Sequence, residues 1–170
     1  MKPIQHLKGL YPNETIYVLG AGKQMEMYHP EWFSDRICIG VNWVYQFYPV
    51  RYTVARHLVV IRTEPPELIY PDVTCDFDGI PSPPVGGYRF RDEIHQSGST
   101  TLTAIDVARY MGASRIVIVG CECYGPYFAG YPTGETNQTW LSKSRAEMAL
   151  FIDLLERREK IRVDWLQFIP

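Results

Sequence analysis

The chain has 170 residues, of which 46% are hydrophobic and 21% charged, with a formal net charge of −2. That length suits one well-packed domain, and that balance argues against disorder and against a broad nucleic-acid footprint. Its apolar runs fall well short of a membrane-spanning helix, and Met1-Lys2-Pro3-Ile4 is no signal-peptide core. A cytoplasmic protein without a membrane span is expected.

Thr15 to Leu19 is a short β-branched and aliphatic run that ends in Gly20-Ala21-Gly22, which reads as a strand and a glycine turn. Between it and the next strand, Lys23 to Phe33 is a poor helix broken by His29-Pro30, good for one turn at most. Arg36 to Asn42 reads as a second strand and Tyr52 to Ala55 as a third, while Leu58 to Ile61 fits a strand extension or a helix start equally. The window from Pro65 to Gly87 then concentrates Pro65, Pro66, Pro71, Pro81, Pro83 and Pro84 with Gly79, Gly86 and Gly87. Proline removes backbone donors, so this window predicts nothing regular beyond a short strand. Residues 65–95 are read as a loop or lid inserted in a single 1–170 domain, with a rigid meander as the competing reading.

The second half has plainer periodicity. Thr100 to Met111 is a helix with Leu102, Ile105 and Ala108 inward, and Gly112 is its natural stop. Arg115 to Val119 is a near-continuous aliphatic strand, as in a parallel sheet covered on both faces. A loop rich in Gly, Pro and Tyr follows from Tyr124 to Thr139. Ser142 to Glu159 is the longest helix, with Met148, Ile152 and Leu155 on one face and a Glu156–Lys160 pair near its end. Ile161 to Leu166 closes as a strand. Strands alternating with helices predict an α/β, Rossmann-like sandwich with a mostly parallel sheet.

The cysteines (Cys38, Cys75, Cys121, Cys123) contain no C-x-x-C pair. They are read as free thiols, with a zinc site from Cys75, Cys121, Cys123 and a histidine as the lesser reading. No metal is assigned. Gly20-Ala21-Gly22 after a strand invites a dinucleotide reading, yet Met25 stands where G-x-G-x-x-G needs its third glycine, and Asn42 ends the second strand in place of a carboxylate. NAD is therefore disfavoured. What survives is a turn over which a nucleotide could pass, or a tight structural turn. Asn42 can donate to and accept from ribose hydroxyls or a base edge, and can equally pair with nearby backbone. Ser97, Gly98 and Ser99 open the Thr100 helix, where capping and anion binding are compatible. Tyr124, Tyr127 and Tyr131 cluster after the central strand, and phenol O–H groups can steady a departing phosphate. Glu122 and His57 are the candidate general bases.

At these residues the chain resembles the bacterial sialyltransferases that use CMP-sialic acid (the Campylobacter type). It is similar also to the wider DUF115-like group that includes archaeal hydroxymethylpterin diphosphokinases. The resemblance rests on the first glycine turn, Asn42, Ser97-Gly98, the run Gly112-Ala113-Ser114-Arg115-Ile116-Val117-Ile118-Val119-Gly120, the tyrosine loop, Ser142-Lys143 and Lys160-Ile161-Arg162-Val163. It implies that Gly20, Ala21 and Gly22 line a nucleotide, that Asn42 contacts the donor, that Ser97 and Gly98 meet base or ribose, and that Tyr124 with a second loop tyrosine holds the phosphate. The family's general-base histidine precedes the Ser-Lys pair, where this chain has Leu141.

The expected function is a metal-independent glycosyltransferase with no bound cofactor, a nucleotide sugar as co-substrate, and an acceptor that could be a glycan, a protein or a nucleic-acid base. The alternatives are a pterin-type diphosphokinase, for which Asp76, Asp78 and Asp92 would be the magnesium ligands, and a non-catalytic nucleotide-binding module. An aromatic content of 14% would also furnish an interface for a homo-oligomer.

Overall fold

The computed structural model describes residues 2–55, 66–71, 87–95, 99–121, 127–130 and 138–166. These residues build an eight-stranded, all-parallel sheet. Its strands are β1 (Lys2–Pro3), β2 (Thr15–Leu19), β3 (Ile37–Val41), β4 (Tyr52–Val54), β5 (Leu68–Pro71), β6 (Tyr88–Phe90), β7 (Arg115–Val119) and β8 (Arg162–Leu166). In space they follow the order β1-β6-β5-β4-β3-β2-β7-β8. The architecture is the expected Rossmann-like α/β sandwich.

Both faces of the sheet are covered, and by different means. On one face Ile16, Val18, Ile39, Val54, Ile69, Ile116 and Ile118 pack under two helices, α1 (Thr100–Tyr110) and α2 (Gln138–Leu154). From Leu102 to Ala108 every residue of α1 is buried, so this helix is enclosed on all sides rather than amphipathic. The other face carries Leu19, Cys38, Val117 and Val119, and its cover is Met25, Phe33, Val44, Tyr48 and Phe128. Those come from 3-10 turns at Lys23–Met27, Pro30–Phe33 and Asn42–Gln46 and from the short segment around Phe128. Pro30 cannot donate a backbone bond, and so the chain between β2 and β3 makes two short turns where one was expected. Aromatic rings compensate for the missing helix: Phe33 meets Trp32 edge-on at 4.9 Å and Tyr48 at 5.7 Å.

The proline-rich window from Pro65 to Gly87 holds one short described strand, β5, as expected, and β6 follows directly after it. It is joined to the sheet at both ends, through β5 and β6, which pair with each other from Ile69↔Tyr88 to Pro71↔Phe90. Pro71, at the end of β5, closes that strand. Residues 72–86 lie outside the described residues, as do Leu58 to Ile61.

α2 begins four residues earlier than its periodicity suggests, and its last stretch, Leu155–Glu159, widens into a π-helical turn. Lys160 ends it at φ 59°, and the Ile161 N–H returns to the Leu155 carbonyl at 3.2 Å. Glu156 is thereby brought to β8, where it accepts the Val163 N–H at 3.3 Å. No described helix is long and apolar enough to cross a membrane.

Candidate functional site

Because all the strands are parallel, their carboxyl ends share one rim. β3, β4, β5 and β6 lie on one side of β2, and β7 and β8 lie on the other. The chain leaves β6 at the carboxyl rim, returns through α1, and enters β7 beside β2. The order therefore reverses between β2 and β7, the position where open α/β sheets hold ligands. Gly20-Ala21-Gly22 follows β2 at this place and Gly120-Cys121 follows β7.

The two strands do not part there at once. The Gly20 N–H donates to the Val119 carbonyl at 2.8 Å, and the Gly22 N–H donates to the Gly120 carbonyl at 2.6 Å. The Phe128 N–H then donates to the Ala21 carbonyl at 3.0 Å, and Gly22 forms an antiparallel bridge with Tyr127. The glycine turn is thus a continuation of the sheet, and the amides of Gly20 and Gly22 are taken up inside it. Two close approaches explain the glycines. A Cβ on Gly20 would fall inside 3.0 Å of Cys121 Sγ and of the Gly120 carbonyl oxygen. One on Gly120, which sits at φ +66°, would fall inside 3.0 Å of Met25 Cγ and Sδ.

Ala21 is buried in the second core beside Phe128. Tyr127 is half-buried against the same cluster, so its backbone meets Gly22 while its ring packs. Asn42 stands two residues beyond Gly40, the register partner of Leu19, and so reaches the same rim. It adopts φ 54°, a left-handed conformation that asparagine tolerates better than other residues with a Cβ, and it opens the Asn42–Gln46 turn. Ser99 is the N-cap of α1, 2% exposed, with no capping bond from its side chain to the helix. Its carbonyl accepts the Thr103 N–H at 3.2 Å and Thr103 Oγ1 at 3.3 Å. Gly20, Ala21, Gly22 and Tyr127 are therefore brought into one cluster, with Asn42 and Ser99 on the rim around it. Glu122, Tyr124, Tyr131, His57, Ser97 and Gly98 lie outside the described residues.

A residue not singled out by its sequence signal lies farther along α1. Asp106 is 2% exposed within α1. One of its carboxylate oxygens accepts the His95 N–H at 2.5 Å, and the other is ion-paired with Arg109 Nε. Arg109 in turn reaches Glu159 at 3.5 Å, joining α1 to the end of α2. The His95 ring lies flat against Phe151 of α2, at 5.8 Å and 16°. Asp106 and Thr103 thus hold His95 and Ser99, one on each side of Gln96-Ser97-Gly98. The only local hint was the three-residue spacing of Asp106 and Arg109, which usually marks a solvated helix face.

Burial pushes the Cys38 thiol up to about 12 from its ordinary 9.0, against the weaker pull of Arg36, and Cys38 Sγ donates to the Phe33 carbonyl. Cys38 and Cys121 are both buried and not joined in a disulfide, and Cys75 and Cys123 lie outside the described residues. Among the described residues no three His, Cys, Asp or Glu side chains are grouped to hold a metal ion. Asp92 is exposed, while Asp76 and Asp78 are not among the described residues.

A scan against protein-family models finds no match to this sequence, and a search of curated proteins finds none either.

Proposed function

We propose that the chain binds a nucleotide sugar at the carboxyl rim and transfers the sugar without a metal. The observation that supports this most is the reversal of strand order between β2 and β7, with the start of α1 on the same rim. Since the amides of Gly20 and Gly22 pair within the sheet, the donor's phosphate draws on the first turn of α1, whose opening N–H groups carry partial positive charge. Gly22 contributes its lack of a side chain, and Asn42 a donor and an acceptor for the ribose.

In the reaction the acceptor's oxygen bonds to the sugar's anomeric carbon as the bond from that carbon to the phosphate oxygen breaks. Glu122 or His57 takes the acceptor proton, and the nucleotide leaves with its phosphate bonded by Tyr124 and Tyr127. The test is a thermal-shift screen with CMP-, UDP-, GDP- and TDP-sugars, followed by assay for free nucleotide in the presence of EDTA. Stabilisation by one donor and its EDTA-insensitive hydrolysis are expected. No stabilisation by any of them would overturn the proposal.

One observation favours a second reading, a nucleotide-binding module without catalysis. Met25, Cys121 and Phe128 pack around the glycine turn, which leaves the rim rather than the interior for a ligand. That reading expects the same stabilisation with no product at any enzyme concentration.

A further inference from the structure

β8 is the last strand of the sheet, and among the described residues no strand pairs with its outer side. The Arg162 N–H donates to the Ser114 carbonyl at 3.0 Å. Backbone groups of a strand in a parallel ladder point alternately to either side, so Arg162 and Asp164 bond to β7 while the amides of Val163 and Trp165 turn outward. Such an edge is a template for another chain. Among the described residues the opposite end of the sheet offers little: β1 runs over Lys2–Pro3, and Pro3 lacks an N–H.

The outward Val163 N–H is met by Glu156 Oε1 at 3.3 Å. That bond is long, and Glu156 is exposed, so it can be displaced at small cost. It exists because the π-helical turn Leu155–Glu159 and the left-handed Lys160 fold the end of α2 back over the start of β8.

We infer that the β8 edge docks a second copy of the chain, antiparallel to its own β8, and that Glu156 occupies the edge until it does. The side chains select one register. With Val163 opposite its symmetry mate, Arg162 of each copy faces Asp164 of the other, which makes two equivalent cross-strand ion pairs. Shifting the two-fold axis to Asp164 sets two carboxylates opposite each other at the closest spacing an antiparallel pair allows. Within one copy Arg162 pairs with its own Asp164 at 3.0 Å; its side chain is 69% exposed and can exchange that partner for Asp164 of a second copy, while Asp164 stays anchored to Arg115 at 2.5 Å. A five-residue edge buries little area, so the dimer is weak and concentration-dependent.

Sedimentation velocity on the full chain, from about 1 to 500 μM, tests this against the affinity scale of weak complexes. The wild type shifts from monomer to dimer across that range. Glu156→Ala frees one outward N–H per copy and tightens the dimer about tenfold. Val163→Pro removes the outward N–H without touching a bond to β7 and stays monomeric; because Val163 also packs on the core, its thermal midpoint falls by a few degrees. If that variant fails to fold, Arg162→Glu replaces both ion pairs with like charges and weakens the dimer about tenfold. A wild type that stays monomeric throughout would overturn the inference. So would a Val163→Pro or Arg162→Glu variant that dimerises as tightly as the wild type.

Discussion

Gly20 and Cys121 approach so closely that a single methyl group on Gly20 would fall inside 3.0 Å of the Cys121 sulfur. The contact joins the ends of two strands that lie a hundred residues apart in the chain. It makes the first glycine of the turn a packing requirement, whatever else passes over it. Gly20→Ala should destabilise the protein by about 2–3 kcal/mol, the range of an overpacked core. Adding Cys121→Ala should recover only part of that, because the Gly120 carbonyl lies equally close to the new methyl. Urea denaturation of the single and double variants measures both.

Asn42 separates structure from binding. Its φ of 54° suits glycine better than asparagine, so Asn42→Gly should leave stability within about 0.5 kcal/mol or raise it slightly. If Asn42 contacts the donor as proposed, the same variant should lose about tenfold or more in nucleotide-sugar affinity, one hydrogen bond's worth left unmade. Calorimetric titration beside a thermal melt reads the two effects separately. Unchanged affinity would remove Asn42 from the site.

Two ion pairs on helices should behave very differently. Asp106 is 2% exposed and also holds the His95 N–H. Removing it leaves Arg109 without its nearer partner and an amide without an acceptor, so Asp106→Ala should cost about 3–5 kcal/mol. Asp153 pairs with Arg157 at 2.7 Å, but their side chains are 52% and 79% exposed. Asp153→Ala should change stability by less than about 0.5 kcal/mol, and that small effect should fade in 1 M salt. Denaturant titrations at two salt concentrations distinguish the two cases.

Cys38 makes stability depend on alkaline pH. Its thiol is held up to about 12 from 9.0, so above pH 9 the unfolded chain releases a proton that the native protein retains. The unfolded state then binds fewer protons, and stability falls as pH rises. Between pH 9 and 12 the slope from this one group approaches about 1.4 kcal/mol per unit. Cys38→Ala should flatten that part of the profile. At pH 8 the native thiol should resist a disulfide reagent that labels the unfolded chain at once.

Much of the fold was legible locally. The runs Thr15 to Leu19, Arg36 to Asn42 and Arg115 to Val119 read as strands because continuous aliphatic residues leave no polar face. Gly112 read as the stop of α1 because it follows the last periodic residue. β5 and β6 were harder, since four- and three-residue strands among prolines carry no period to detect. The π-helical turn at Leu155–Glu159 was invisible, for it depends on β8 lying where Glu156 can reach it. Asp106 was missed for a related reason: helical periodicity places a residue on one face, and α1 is covered on every face.

By itself, then, the order of apolar runs and turn residues determined an α/β chain with Gly20, Gly22 and Asn42 at strand ends. Those signals are carried by neighbours within a few positions of each other. Which strands lie side by side, and that the amides of Gly20 and Gly22 bond to Val119 and Gly120, only the tertiary structure decided. A backbone amide looks the same in sequence whether it awaits a phosphate or a carbonyl from a strand a hundred residues away. Its partner is chosen by the packing of the whole sheet.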